Sequence, residues 1–215
     1  MTPNEITTVL TAPYGKVFDT PFKLMLMERV DIWRSRHIRN ALEKQPQDRK
    51  FFKSTIYLAL QETTTIECDV PVNCKIWRTD KLPGILRANS ILFDYVGAIN
   101  GMNPFSYTEA GMVQYKNKGK YSSKVVPYLY QNNRLYLLEN VPMVRVDFVP
   151  DKPSELESYT CGGDSGTCDF WNAPYPCTNE ILQLILQSIR EIDFREAPIQ
   201  KELSVAVNPA NDNQQ

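Results

Sequence analysis

Phe51 to Thr65, FFKSTIYLALQETTT, is where the hydrophobic period of this chain changes. Ile56, Leu58 and Leu60 alternate with Thr55, Tyr57 and Ala59, and a threonine run follows, so the stretch predicts a strand with one face in the core. Upstream the period is helical. Leu26, Val30, Trp33, His37 and Ala41 recur at spacings of four, three, four and four, Thr20 is placed to cap, and Pro21 suits the first turn. Helix is expected over 21–45, ending before Pro46, with Arg29, Arg36 and Asn40 on a neighbouring, solvated strip.

Downstream, 51–150 reads as an antiparallel β region. Cys74–Arg78, Ser90–Val96 and Val141–Val149 are strand candidates, and Leu82-Pro83-Gly84 is a turn. Tyr128–Gln131 and Arg134–Leu138 flank Asn132-Asn133, and paired asparagines tolerate the positive φ of a tight hairpin turn. A polar excursion rich in Gly, Asn, Lys and Tyr interrupts the region at 100–124. A Cys/Gly/Pro loop over 151–177 leads to a second amphipathic helix, 178–197, whose Ile181, Ile185, Ile189 and Ile192 share one arc with Leu182 and Leu186. Residues 1–20 read as an N-terminal arm and 201–215 as a flexible tail. The fold class expected is therefore α+β. One domain, 1–215, has an antiparallel sheet or sandwich core bracketed by two amphipathic helices, with extended loops and arms.

Composition excludes several functions. The 24 Lys+Arg against 25 Asp+Glu leave a net charge of −1, without the basic excess of a protein that coats nucleic acid or an anionic membrane. The longest apolar runs, Leu24–Met27 and Ile56–Leu60, fall far short of the roughly 18 residues a membrane span requires. The start of the chain lacks the basic and apolar regions of a secretory signal, so synthesis in a reducing cytoplasm is expected.

Chemical motifs are sparse. Gly163-Asp164-Ser165-Gly166 matches the letters around the nucleophile of trypsin-like proteases, but Thr167 and Cys168 follow, and His37, the one histidine, lies on the first helix. The motif reads as a turn and His37 as a packed residue. Five cysteines are an odd number, and Cys161, Cys168 and Cys177 are separated by six and eight residues, unlike the short knuckles of zinc sites. Free thiols are expected, with one local disulfide or, less in keeping with the spacing, a zinc site among Cys161, Cys168 and Cys177 as the alternatives. Asp147, Asp151, Glu155 and Glu157 read as a solvated acidic cluster. Tyr115 to Lys124 interleaves lysine and tyrosine, a weak nucleic-acid pattern. No phosphate-binding loop, HExxH or calcium loop occurs, so no catalytic, cofactor-binding or metal residue is assigned and no cofactor is expected.

RVDIWRSRHIRNALEKQ, DRKFFKSTIYLALQ, KLPGILRANSILFDYVGAING and TNEILQLILQSIREIDFREAPIQ, in that order, resemble the head-to-tail connector proteins of tailed bacteriophages, in particular the neck ring proteins of crAss-like podoviruses. The resemblance implies a non-enzymatic virion protein, assembled in the host cytoplasm and retained at the head–tail junction. It implies a homo-oligomeric ring of about twelve copies, stacked with the portal and other neck or tail rings around the DNA exit channel, with at most weak contact to exiting DNA. Two other classes stay open on the residues alone: a hydrolase with a dispersed active site, and a small accessory binding protein.

Overall fold

The computed structural model describes residues 1–15, 19–66, 70–109, 112, 125–159 and 170–193, with backbone alone at 64–66, 70–75 and 157. The expected arm over 1–20 is corrected at its start, because Pro3–Thr11 forms a helix, α1. Thr2 caps it, Glu5 returns a carboxylate to the Thr2 N–H at 2.9 Å, and Pro3 stands in the first turn. Ile6 and Leu10, one turn apart, are fully buried. Thr7 and Thr11 are buried with them, their hydroxyls donating to the carbonyls of Pro3 and Thr8. That self-satisfaction lets a threonine-rich segment act as core. Tyr175 N–H to Met1 O (3.0 Å) and Asn4 N–H to Trp171 O (3.2 Å) stitch α1 to the chain before the last helix.

Helix α2 is Thr20–Lys44, and its cap is Asp19, not Thr20, with Phe22 N–H donating at 3.0 Å. Its buried line also differs from the expected stripe. Leu26, Met27, Val30, Asp31, Arg34, Ile38 and Leu42 are buried, whereas Trp33, His37 and Ala41 lie at the edge of the apolar face. A 3₁₀ turn, Pro46–Phe51, then leads into the sheet.

The seven strands among the described residues are β1 Ser54–Ile66, β2 Val70–Thr79, β3 Phe93–Gly97, β4 Ser106–Tyr107, β5 Pro127–Gln131, β6 Arg134–Leu137 and β7 Met143–Phe148, in the spatial order β3-β7-β1-β2-β6-β5-β4. Every pairing is antiparallel except the short β4–β5 contact. Asn132 (φ 51°) and Asn133 (φ 60°) make the tight β5–β6 turn that the sequence predicts. Ser90, expected within a strand, instead shares a left-handed turn with Asn89, bridged by Ala88 and Ile91, and β3 starts only at Phe93. The expected excursion over 100–124 is corrected where Ser106–Tyr107 joins the sheet; 110–111 and 113–124 lie outside the described residues.

The two ends of the strand order nearly meet. A bridge pairs Gly97 with Pro104, and Phe105 N–H donates to Val96 O at 2.7 Å, so the sheet curls into a barrel closed at one corner. Gly97 permits that corner: a Cβ there would collide with Asn103 O and the Tyr95 ring. Ile56, Leu58, Val96, Leu135, Leu137, Val144, Val146 and Phe148 fill the interior.

After β7, Pro153–Ser158 forms a 3₁₀ turn, and Phe170 and Tyr175 are buried, so the described parts of 151–177 are packed structure rather than a loose loop. Helix α3 is Asn179–Ser188, capped by Thr178, and passes into one π-turn, Ile189–Asp193. The wider turn delays the helical phase, which leaves Ile189 in the core and turns Ile192 out to 56% exposure, against the arc read from sequence. Residues 194–215 lie outside the described residues. A second core joins Ile6, Leu10, Val30, Ile38 and Ile185 to Phe52, Leu86 and Val149, so the helical layer packs on one side of the barrel.

Candidate functional site

The residues with chemical interest do not converge. Ser165, Cys161 and Cys168 lie outside the described residues, as does Tyr115 to Lys124. Cys177 is a free thiol whose burial pushes its pKa up to about 11, so it stays protonated and inert at neutral pH. His37 stacks on Trp33 (5.9 Å between centroids) and meets Ser188 Oγ at 3.1 Å. Burial and the Arg36 charge lower its pKa, so the ring is neutral, and among the described residues no carboxylate orients its other nitrogen. That is a helix-packing contact, short of an activated nucleophile. No group of three or more His, Cys, Asp or Glu side chains among the described residues could hold a metal ion. No described helix is long and apolar enough to cross a membrane.

The densest polar centre is one that sequence reasoning missed. Arg34 is fully buried at the middle of α2 and donates Nη1 to Pro150 O (2.7 Å), Nε to Pro176 O (2.9 Å) and Nη2 to Phe52 O (3.5 Å). One turn earlier Asp31 accepts from Tyr175 Oη and Ser154 Oγ, each at 2.6 Å. Burial raises the Asp31 pKa against those two hydroxyls and the Arg34 charge, and burial lowers that of Arg34. Two side chains of one helix thus fix the ends of β7, of the 3₁₀ turn and of the segment before α3. A trace of this was readable, since Arg34 lies four residues after Val30 and four before Ile38, where the stripe demands an apolar residue.

A second centre lies on the barrel. Asp147, read from sequence as solvated, is buried, a correction caused by its neighbours. Arg145 reaches it through Nε and Nη2 (2.9 Å each), Thr55 through Oγ1 (2.9 Å), and Lys53 lies at 3.8 Å. Burial alone would raise its pKa, but these donors outweigh it and hold the carboxyl below its ordinary value. Asp151 accepts Ser35 Oγ on its carbonyl, and Glu155 accepts Gly84 N–H at 2.8 Å.

The surface supplies what a binding protein would use. Leu24, Met25 and Ile32 are exposed on α2 beside Arg29, Arg36 and Arg39. On the barrel, Ile99, Met102 and Tyr107 are exposed near the closing corner. A groove of about 740 Å³ runs between Arg87, Ser90, Ile91, Leu92 and Phe93 on one side and Tyr107, Tyr128 and Tyr130 on the other. Phe93 meets Tyr130 edge-on at 5.0 Å and Tyr128 at 6.2 Å, and Tyr107 meets Tyr128 at 5.8 Å. This chemistry suits adhesion rather than turnover.

A family model described as phage tail ring protein 2, of crAss-like phages, matches residues 26–212, from the first buried turn of α2 onward. The chain belongs to this family. No curated protein matches it. As a phage tail ring protein, it is a structural component of the virion tail or neck, and its surfaces serve a homo-oligomeric ring with tail or neck partners. Helix α1 precedes the matched region, although it packs into the same core.

Proposed function

We propose that this ring protein is the subunit of a head–tail connector ring that links the portal to the tail and lines the DNA exit channel, about twelve copies closing each ring. Family membership over 26–212 carries the reading. Two features of the subunit support it. Ring closure by rotation needs two unlike patches on each copy, and exposed apolar side chains occur on α2 (Leu24, Met25, Ile32) and, separately, near the barrel corner (Ile99, Met102, Tyr107). A net charge of −1 suits a channel wall past which DNA must slide, because a strongly basic lining would hold phosphate by counterion release.

The subunit works without catalysis or cofactor. Assembly takes place in the host cytoplasm and the ring stays in the virion at the head–tail junction. Native mass measurement on purified protein and reconstruction of the virion neck test the proposal. The expected result is a ring of about 300 kDa from about twelve chains of 24.7 kDa, placed against the portal. A chain that stays monomeric at all concentrations, or a ring that lies away from the portal, would overturn it.

A further inference from the structure

Helix α2 carries a second stripe besides the one buried in its own core. Met25, Arg29, Ile32, Arg36 and Arg39 recur at spacings of four, three, four and three, so they share one face over about 21 Å of helix. All five are exposed, Met25 at 48% and Ile32 at 47%. Among the described residues Arg29 and Arg39 make no ion pair, and Arg36 lies over the Trp33 ring. The helix also differs in sign from the rest of its molecule. It holds six of the 24 Lys+Arg and three of the 25 Asp+Glu, a net +3, which leaves −4 on the remainder of the chain. A cationic stripe set with apolar side chains matches a protein surface of opposite sign better than duplex DNA, whose phosphates would meet the arginines but not Met25 and Ile32.

The barrel offers such a surface at the end away from α2. The helical layer grips the Ser54–Phe148 end of the β1–β7 ladder, where Arg34 donates to the carbonyls of Phe52 and Pro150. Ala59 and Met143 pair five residues farther along, roughly 17 Å away, and both are exposed. The loop that closes the seam between β3 and β4 lies against Arg145 through Gly101, so it presents Ile99 and the 81% exposed Met102 on the side of β7 that carries Met143. Glu62 on β1 and Glu139, where the chain crosses from β6 to β7, are exposed at this same rim, and the neighbouring Arg78 and Arg145 are half-buried, with Arg145 forked onto Asp147.

We propose that the α2 stripe of one copy docks on this barrel rim of the next, with Met25 and Ile32 against Ile99, Met102 and Met143, and with the arginines facing Glu62 and Glu139. Stripe and rim lie at opposite ends of the subunit, so they meet between copies, head to tail, and the contact repeats around a closed circle. This inference rests on the ring reading and adds to it the two surfaces that carry the contact.

The test uses the full chain with benzoylphenylalanine in place of Ile32, assembled from a mixture of ¹⁵N-labelled and unlabelled copies and then irradiated. The expected product links position 32 of one copy to residues 99–102 or 139–143 of another, in mixed-label pairs. Links confined to one copy, or to any other surface of the neighbour, would overturn the proposal. A second variant, Arg29→Glu with Arg39→Glu, should raise the concentration needed for ring formation at least tenfold without moving the melting temperature, and adding Glu62→Arg with Glu139→Arg should recover most of that loss. Rings that form as readily as wild type, a loss that the second pair does not recover, or a loss of duplex-DNA binding with ring formation intact would sink the docking and leave the ring reading standing. A wild-type chain that forms no ring would sink both.

Discussion

Asp31 and Asp147 are both buried carboxylates, yet the helical layer and the barrel hold them in opposite ways. In the barrel the donors are neighbours in the sheet, because Arg145 is two residues along β7 and Thr55 faces Asp147 in the β1–β7 register. In the helical layer they come from far along the chain, Ser154 and Tyr175, and they are neutral hydroxyls. A forked guanidinium offsets the desolvation of a carboxylate; two hydroxyls do so incompletely. Asp147 therefore stabilises the subunit in its charged form, whereas the charged form of Asp31 is a cost carried by the joint between the two cores.

Arg34→Leu attacks that joint and should have the largest effect. It leaves the carbonyls of Pro150 and Pro176 without their donor and Asp31 without its nearest positive charge, for a loss of about 3–5 kcal/mol in urea unfolding. A loss below about 1 kcal/mol would mean that water replaces the guanidinium and that the helical layer does not depend on it.

Asp147→Asn sharpens the contrast through pH. The folded pKa of Asp147 is depressed, so its contribution is present above the ordinary value of 3.8 and is lost as pH falls through the lower folded value. The folded pKa of Asp31 is raised, so its contribution is greatest below 3.8 and is lost as pH rises through the raised value. Asp147→Asn should cost about 2 kcal/mol at pH 7 and flatten the fall in stability on acidification. Asp31→Asn should steepen that fall. Titrations of melting temperature that moved the same way in both variants would remove the distinction.

These two sites were not equally legible. The barrel is local grammar, since the alternation from Ile56, the Asn-Asn turn and the β7 strand were all visible, and Thr55 opposite Asp147 follows once β1 and β7 are aligned. The helical layer is assembled from segments about 120 to 145 residues apart, and no periodicity announces that Tyr175 and Ser154 converge on Asp31. Helix α1 was missed because its buried threonines satisfy themselves, and Ile192 because the π-turn shifts the phase. The groove was hidden for a similar reason. Tyr107 lies on a strand of two residues, too short for a period, and meets Tyr128 only through the parallel pairing of β4 with β5. Membership of a ring family was readable from the order of elements, while the surfaces that make a ring appear only in three dimensions.

Gly97→Ala tests whether the corner controls the barrel as the Asp31 and Arg34 joint controls the helical layer. The new methyl group would strike backbone at Asn103 O and the Tyr95 ring, so relief requires the bridge to part. A cost of about 1–3 kcal/mol is expected, with faster amide exchange at Phe105 and Ala98, whose N–H groups close the corner. Unchanged exchange at those two amides would show that the seam is not held by this contact.

The smallest effect belongs to the hairpin, where local chemistry alone sets the outcome. Asn132 and Asn133 both adopt left-handed backbone, at φ 51° and 60°. Asn132 opens the turn, and the Asn133 side chain also accepts from Tyr130 Oη at 2.9 Å on an exposed surface. Alanine at 133 would keep the turn but pay the left-handed penalty, about 1 kcal/mol, for a drop of roughly 2–4 °C in melting temperature at this chain length. Glycine at 133 should lower it by less, because it removes the steric penalty while losing only an exposed hydrogen bond. The ranking separates backbone strain from side-chain bonding. Should Asn133→Gly fall as far as Asn133→Ala, the Tyr130 contact would be the stabilising element, and the most readable turn in the sequence would owe its stability to a tertiary contact like those of the helical layer.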